Sequence, residues 1–211
     1  MRTLKRSFVN IDEREFLGRG QIMDKRDNGA ESYRRFLDEG DENGIVEIIK
    51  DYKDGLLLYL LGFTKNFHTA EEIMEDTFVK LVVKRPKYSE KFSFKTWLYT
   101  IGRNAAIDRL RHSSKFPELS AEELAETLSD KNTLERSYIR EEQKIAVHKA
   151  MDRLCDKYRQ VLYLSYFEGL KNPEIAAIMK KSKRQTENLI YRAKQALKTE
   201  LEKEGFVYEE L

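Results

Sequence analysis

Near the carboxyl-terminal end, side chains that can hydrogen bond to DNA bases cluster at the start of a helical pattern. Ser182 and Gln185 are three residues apart, which is the spacing of a capping box that begins a helix. Arg and Lys suit guanine, whereas Asn and Gln suit adenine. The candidates are Lys183, Arg184, Gln185, Glu187 and Asn188. Neighbouring cations are better placed for phosphates, which supply affinity without sequence information; they are Lys171, Lys180, Lys181, Arg192 and Lys194.

The surrounding pattern predicts the elements that would position these side chains. Asn172 is predicted to cap a short helix over 173–179, with Pro173 at its first position. A tight turn at Lys180-Lys181 follows, and the second helix is predicted to bury Thr186, Leu189, Ile190, Ala193, Leu197 and Leu201. This is a helix-turn-helix pattern, whose second helix enters the major groove of DNA. An ordinary helical hairpin with a solvated basic face remains the alternative.

A second group of residues suits a DNA strand that has lost its partner. Between 84 and 99, aromatic side chains alternate with basic ones, and unpaired bases stack on aromatic rings while Lys and Arg follow the phosphates. Phe94 and Trp97 share an apolar face with Leu98 and are predicted to lie mostly in the core of a helix over 93–112. Tyr88 and Tyr99 fit either the core or a stacking role.

The preceding helix has two unlike faces. A capping box over 69–72 is predicted to begin it at Thr69, and the residue before Pro86 ends it. Its inner face carries Ile73, Thr77, Phe78 and Leu81. Its outer face is acidic and consists of Glu71, Glu72, Glu75 and Asp76. Further upstream, Asp41 is predicted to cap a helix that runs through several isoleucines.

Composition and charge indicate helices and a nucleic-acid partner. The 211 residues include 36% charged residues but only 10 Gly and 3 Pro, which favours amphipathic helices. The net charge of +2 gives no argument for DNA, but the charges are segregated. Residues 84–95 and 171–184 each hold five basic residues against one acidic, whereas 116–135 hold six acidic against one basic.

Several function classes find no support in the residues. Cys155 is the only cysteine and is predicted to be a small buried side chain, and the three His residues lie far apart, so neither a metal nor another cofactor is expected. A Gly-rich phosphate loop is missing, and no nucleophile has a base in view, which argues against an enzyme. The longest apolar run, 56–61, is too short to span a bilayer, and residues 1–20 lack a secretory h-region. We therefore expect a cytoplasmic protein without membrane insertion.

The predicted fold class is all-α, with two small helical domains joined by a flexible acidic linker. The predicted divisions are a disordered tail over 1–30, a helical bundle over 31–112, the linker over 113–137, a helix-turn-helix domain over 138–205 and a tail over 206–211. Residues 1–22 are expected to be dispensable, with Met23 as a second start. In the downstream domain, Asp156 is predicted to cap a helix, and Gly169 suits a position of positive φ.

Three motifs resemble parts of extracytoplasmic-function sigma factors, the sigma-seventy type subunits of bacterial RNA polymerase. FKTWLYTIGRNAAIDRLR over 94–111 resembles region two, and AEEIMEDTF over 70–78 resembles the family helix that docks on the polymerase clamp. Residues 154–163 and 173–193 resemble region four. The resemblance covers 33–112 and 139–203. Two positions depart from it, because Lys180 stands where the family commonly has glycine and Thr186 where it commonly has valine.

The resemblance implies roles for the residues above. The acidic face of Glu71, Glu72, Glu75 and Asp76 would bind the clamp helices of core RNA polymerase. The loop 84–93 would take a flipped base of the promoter minus-ten element, and the contacts there would come from Lys87, Tyr88, Ser89, Lys95, Tyr99, Arg103, Asn104, Asp108 and Arg111. The minus-thirty-five element would be read by Lys171, Lys181, Lys183, Arg184, Gln185, Glu187, Asn188 and Arg192. The acidic linker would thread the polymerase cleft, and an anti-sigma protein could hold the two domains.

Two functions remain in competition at this point. The first is a sigma subunit that binds core polymerase and promotes promoter melting. The second is a stand-alone helix-turn-helix regulator with a helical sensor domain. The block over 70–111 separates them, since a sensor domain needs neither an acidic docking face nor a basic aromatic loop. An RNA-binding helical protein would leave the helix-turn-helix unexplained.

Overall fold

The computed structural model of the chain describes residues 28–113 and 147–203. The predicted disordered tail over 1–30 lies almost wholly outside these ranges, as do Met23, the tail over 206–211 and nearly all of the acidic linker. Within the described ranges all regular structure is helical. The helices form two domains, so the predicted fold class is confirmed.

The upstream domain contains four helices. Helix α1 spans Gly29–Arg34 and continues as one π-helical turn, Arg35–Glu39. Helix α2 spans Glu42–Thr64, α3 spans Phe67–Lys84, and α4 spans Phe94–Ser113. The long α2 packs against the other three and supplies much of the core. As predicted, Asp41 caps α2, because its carboxylate accepts a hydrogen bond from the backbone N–H of Asn43.

The downstream domain contains the other helices. Helix α5 covers 147–153 of the described chain. Helix α6 spans Asp156–Leu162 and ends in a π-helical turn, Tyr163–Phe167. Helix α7 spans Asn172–Met179, and α8 spans Lys183–Lys203. Because α8 packs on both α6 and α7, it holds the domain together.

The predicted start of α3 at Thr69 is wrong. Asn66 lies in the extended region, and its side-chain oxygen accepts a hydrogen bond from the backbone N–H of Thr69 at 2.8 Å. The helix therefore begins at Phe67. Asn is as good a cap as Thr, and the earlier polar residue satisfies the free N–H groups first.

The predicted caps of α6 and α7 are each displaced by one residue. Cys155 is the residue before α6, and Asp156 is already helical. Lys171 precedes α7, and the carboxylate of Glu174 accepts a hydrogen bond from its backbone N–H at 3.0 Å. Asn172 is therefore the first helical residue rather than the cap, because the glutamate three residues after Lys171 satisfies that end of the helix.

Other local predictions are confirmed. In the capping box of α8, the backbone N–H of Ser182 donates to Gln185 at 2.9 Å, and the N–H of Gln185 donates to the Ser182 hydroxyl at 3.2 Å. Gly169 has a φ of 66°. The inner-face residues predicted for α3 are buried, and so are those predicted for α8 except Leu189, which is half-buried. The prediction that Cys155 is buried is wrong, since it is exposed in the turn before α6 rather than packed in the core.

The two domains lie against each other. Helix α4 packs on α7, and α2 packs on α6, so the buried apolar residues of both domains form one continuous cluster. In the part of the chain that the structure describes, no helix is long and apolar enough to cross a membrane. Those residues also contain no group of three or more His, Cys, Asp or Glu side chains that could hold a metal ion.

Candidate nucleic-acid interface

The start of α8 presents its predicted base-reading side chains to solvent. Lys183, Arg184, Gln185, Glu187 and Asn188 are all exposed. Between them, Thr186 is fully buried, and its hydroxyl donates to the backbone carbonyl of Ser182 at 3.0 Å. Thr186 thus packs inward as a valine would while keeping its hydroxyl satisfied. This leaves the first two turns of α8 free to enter a groove.

The turn before α8 forms although it lacks glycine. Lys180 adopts the left-handed conformation, with φ 51° and ψ 49°, and its backbone N–H bonds to the end of α7. A lysine in this region costs free energy that glycine would not. The departure at Lys180 therefore leaves the helix-turn-helix geometry intact.

The predicted phosphate contacts surround this turn. Lys171, Lys180 and Arg192 are exposed, and Lys181 is half-buried. The ammonium of Lys194 lies over the ring of Tyr166, 5.4 Å from its centroid. One feature was missed from the sequence: Tyr191 is 65% exposed, one turn beyond Asn188. Its position opposite the buried Ile190 and Ala193 could have been read from the helical spacing.

The loop between α3 and α4 is held by aromatic packing. Lys87 and Ser89 are exposed, whereas Tyr88 is half-buried. The Tyr88 hydroxyl donates to the carbonyl of Phe92 at 2.6 Å, and its ring lies edge-on to Phe94. Phe94 is fully buried, and Trp97 is partly buried beside it, as predicted. The exposed side chains of Lys87 and Ser89 are therefore held beside a fixed cluster of aromatic side chains.

The structure decides the role that the sequence left open for Tyr99. Its side chain is 1% exposed and packs against Tyr59 in the core. Burial raises the pKa of the Tyr99 hydroxyl well above its usual value, and the nearby Glu168 carboxylate raises it further. Because its ring is buried, Tyr99 cannot stack on a base in this arrangement. The sequence left both roles open because an aromatic residue on the boundary of a helix face has the same spacing in either one.

The other predicted minus-ten residues of α4 have different surroundings: Asn104 is half-buried, and Asp108 and Arg111 are exposed. Lys95 forms an ion pair with Glu168 at 3.0 Å. Arg103 stacks over the ring of Phe63, and its buried Nε has no hydrogen-bond partner. A cleft of about 530 Å³ lies between α4 and the turn after α7, lined by Arg103, Asn104, Ile107, Asp108, Arg111, Met179 and Lys180. We call Lys95, Arg103, Asn104, Asp108 and Arg111 the strand-binding face, after the role predicted for them, and leave out Tyr99 because it is buried in the core.

The acidic residues of α3 share one surface. Glu75 and Asp76 are exposed, and Glu71 and Glu72 are half-buried. Glu72 lies 2.8 Å from Arg109 of α4 and 3.3 Å from His68, so part of its charge is balanced within the domain. We call Glu71, Glu72, Glu75 and Asp76 the docking face.

The docking face continues into an apolar strip that the sequence reading missed. Val79, Val82 and Val83 are 56%, 40% and 66% exposed, one after another along α3. Their spacing of three and four residues, opposite the buried Phe78 and Leu81, was the signal that could have revealed them. An acidic patch beside exposed valines is typical of a surface that binds another protein.

Comparisons with known proteins agree with this arrangement. The family model described as Sigma-70 region 2 matches residues 48–116, and the model described as Sigma-70, region 4 matches residues 144–197. Among curated relatives from Bacillus subtilis, the chain is 30% identical to the ECF RNA polymerase sigma factor SigM, over 73% of this chain and 93% of SigM. It is 28% identical to the ECF RNA polymerase sigma factor SigW, over 77% of this chain and 91% of SigW.

Two solved structures share the fold. The sigma factor RpoE from Bartonella quintana, solved in complex with the anti-sigma factor NepR, aligns with a TM-score of 0.58 at 19% identity, covering 74% of this chain and 95% of RpoE. CnrH, in complex with the cytosolic domain of CnrY, aligns with a TM-score of 0.54 at 19% identity, covering 82% of this chain and 94% of CnrH. Both sigma regions thus lie in this chain in family order, and the chain belongs to the sigma-70 family as an extracytoplasmic-function type RNA polymerase sigma factor.

Proposed function

We propose that the chain directs core RNA polymerase to promoters by contacting two DNA elements and the clamp at once. The observation that carries this is the order of surfaces on α3 and α4. The acidic docking face and the exposed valines beside it are followed directly by a basic aromatic loop and the strand-binding face. A stand-alone regulator has no need of such a sequence of surfaces, so this alternative is not favoured.

The downstream domain is proposed to read the minus-thirty-five element. Arg184, Gln185 and Asn188 are exposed on the first turns of α8, where a recognition helix meets base edges. Lys171 and Arg192 are exposed and suited to phosphates on either side. The remaining contacts in this set are Lys181, Lys183 and Glu187.

The upstream domain is proposed to bind the minus-ten element and to favour its melting. Lys87 and Ser89 present polar tips beside the half-buried ring of Tyr88, which suits a base flipped out of the duplex. The cations and amide of the strand-binding face would follow the separated strand. Tyr99 is not included, since it is buried in the core.

The docking face is proposed to bind the clamp of core polymerase. Glu75 and Asp76 would supply charge, and Val79 and Val83 would supply apolar contact beside them.

The chain is proposed to act in the cytoplasm without catalysis of its own, with 31–112 and 138–205 as its two functional domains and 113–137 as the linker. RpoE and CnrH were each solved with a bound protein partner. We propose that an anti-sigma protein holds this chain too.

In vitro transcription tests this function. Purified chain would be mixed with core polymerase and fragmented genomic DNA, and transcript starts would be mapped. We expect starts that share two sequence elements and that depend on the added chain. A gel shift without core polymerase is the matched control. Tight, sequence-specific binding by the chain alone, with no transcription on adding core, would support the stand-alone regulator instead.

A further inference from the structure

The loop between α3 and α4 has a strained backbone at both ends. Arg85 has a φ of 44° and Glu90 a φ of 54°, so two residues other than glycine lie in the left-handed region. Such residues cost free energy and persist only where the surrounding structure holds them in place. Between them lie Lys87 and Ser89, the exposed residues proposed to meet a flipped base. The contacts that hold the two ends therefore determine the shape of this part of the loop.

Helix α1 supplies the contact at the start of the loop. The Tyr33 hydroxyl donates a hydrogen bond to the backbone carbonyl of Pro86 at 2.9 Å, although the two residues are 53 positions apart. Burial raises the pKa of Tyr33 to about 12, against the lowering effect of the Arg85 charge, so the hydroxyl keeps the proton that it donates. The guanidinium of Arg85 lies over the ring of Phe36, 4.9 Å from its centroid. Two residues of α1 thus hold the chain where it enters the loop.

A second tyrosine holds the other end of the loop. The Tyr88 hydroxyl donates to the carbonyl of Phe92 at 2.6 Å. The ring of Tyr88 packs on Phe94 and Trp97, with centroid distances of 5.6 and 5.3 Å. The ring of Tyr33 packs on the same two rings at the same two distances. The loop and α1 are therefore fixed against one pair of aromatic side chains on α4.

Helix α1 comes close enough to α4 for these contacts because it begins with glycine. A β-carbon at Gly29 would clash with the ring of Phe94 and lie 2.7 Å from the Tyr52 hydroxyl. Ser32, the residue before Tyr33, is also buried, and its hydroxyl donates to the Glu47 carboxylate of α2 at 2.6 Å. The position of Tyr33 is therefore set by α2 and α4, independently of the loop that it holds.

A loop that is already in shape binds a base more tightly than one that must be ordered on binding. The free energy of ordering is subtracted from the free energy of binding. Equivalently, the apparent affinity falls in proportion to the fraction of molecules whose loop is competent to bind. A residue that fixes the loop from the protein side can therefore change how firmly a base is held without touching it.

We propose that Tyr33 is a positioning residue for the flipped base of the minus-ten element, because its hydroxyl keeps Pro86 and the loop after it in the shape that receives the base. The proposal rests on the proposed function and adds to it a residue outside the predicted DNA contacts. Tyr33 is 1% exposed, so it acts through the loop and not on the DNA.

Tyr33→Phe tests this, since it removes the hydroxyl and keeps the ring. Holoenzyme assembled from core polymerase and the full chain would be titrated with a promoter mapped by transcription. Copies of that promoter would carry one abasic site at successive minus-ten positions of the non-template strand. In the wild type, the abasic site that weakens binding most marks the flipped base. Tyr33→Phe should weaken binding to the intact promoter by about fivefold, as when the competent fraction of the loop falls to about a fifth. Binding to the marked abasic promoter should not change.

Tyr52→Phe is the matched control, because it removes a hydroxyl from the same aromatic cluster. Tyr52 is buried, and its ring centroid lies 5.7 Å from that of Phe94, but its hydroxyl lies beside Gly29. This variant should keep the wild-type ratio of intact to abasic affinity. If Tyr33→Phe weakened intact and abasic promoters equally, Tyr33 would have a structural role only, and the proposal would be wrong.

Amide hydrogen exchange of the free chain tests the loop contact without DNA. In Tyr33→Phe, the backbone amides of 87–92 should exchange faster, whereas those of α2 should keep their wild-type rates. Circular dichroism checks that the variant keeps its helices. Unchanged exchange in the loop would overturn the proposal, and so would faster exchange with an unchanged ratio of intact to abasic affinity.

The proposed function is judged separately. A wild-type holoenzyme that starts transcription at mapped promoters but shows no penalty at any abasic site would exclude base capture, and with it the role of Tyr33, while leaving promoter recognition in place. A wild-type chain that directs no transcription would contradict the proposed function itself. The exchange rates would then still decide whether Tyr33 holds the loop.

Discussion

The hydroxyl of Ser93 lies 2.7 Å from a carboxylate oxygen of Glu174, although the two residues belong to different domains. The other carboxylate oxygen accepts a hydrogen bond from the backbone N–H of Lys171. One side chain therefore completes the start of α7 and at the same time fixes that helix to the start of α4. The stability of the contact should consequently follow the charge of Glu174.

Acid should weaken this contact. Burial alone raises the pKa of Glu174, but hydrogen bonds from Ser93, Lys171 and Thr96, with the charge of Lys171, hold it below the usual 4.5. The unfolded state then binds more protons than the folded state, so the carboxylate contributes stability above pH 4.5 that is lost as the pH falls through the lower folded-state pKa. The free energy of unfolding, measured against pH, should fall less steeply for Glu174→Gln. Equal slopes would contradict this role.

Much of the fold could be predicted from the spacing of side chains within each helix. The capping box of α8 and its buried face depend on side chains three or four positions apart, which the sequence displays directly. The start of α3 was missed because Asn66 and Thr69 are both good caps and lie three residues apart, so local chemistry did not distinguish them.

The contact between the domains could not be predicted in this way. Tyr163 and Gly55 are 108 positions apart, and no periodicity links residues across that separation. Tyr99 shows the same limit within the site. Its type and its place among basic residues fit base stacking, but its burial depends on Glu168 and Tyr59, which come from two other helices.

Removing the guanidinium of Arg159 should destabilise the protein. It donates to the carbonyls of Met151, Asp152 and Leu154 at the end of α5 and to Gly62 in the other domain. Arg159→Met would leave buried carbonyls without donors, which we expect to cost at least about 2 kcal/mol. Urea unfolding measures the loss. Lys157→Met, an exposed change in the same helix, should cost less than about 0.5 kcal/mol, and similar losses for the two would refute the argument.

Lys180→Gly should stabilise the downstream domain. Lys180 has a φ of 51°, where a non-glycine residue costs about 1–3 kcal/mol. Glycine also makes the unfolded chain more flexible, at a cost of about 0.4–1 kcal/mol. The balance is a gain of about 1 kcal/mol, seen as a higher melting temperature. Lys181→Gly at the next position, where φ is not positive, should give no gain. A drop in melting temperature for Lys180→Gly would show that its side chain has a stabilising contact.

Reversing charge on the docking face should weaken polymerase binding. Glu75 and Asp76 are exposed, so replacing both with Lys leaves the core of α3 untouched. Like charges at the clamp should weaken binding to core polymerase by about tenfold or more, as measured by co-purification and titration. Asp38→Lys with Glu39→Lys is the matched control, an equal change of charge at exposed positions on another helix. Retained co-purification of the first variant would show that another surface docks.

Arg184→Ala should weaken promoters through their upstream element. The side chain is exposed on the first turn of α8, and loss of a bidentate contact to guanine should cost about 1–3 kcal/mol at one base position. Footprints of the assembled polymerase on promoters that differ at single upstream positions measure this. Arg192→Ala, further along α8, should instead weaken binding to all promoters alike. It should also reduce the slope of the logarithm of affinity against the logarithm of salt concentration by about one. If Arg184→Ala also weakened all sequences equally, Arg184 would be a phosphate contact, and the base would be read by Gln185 or Asn188.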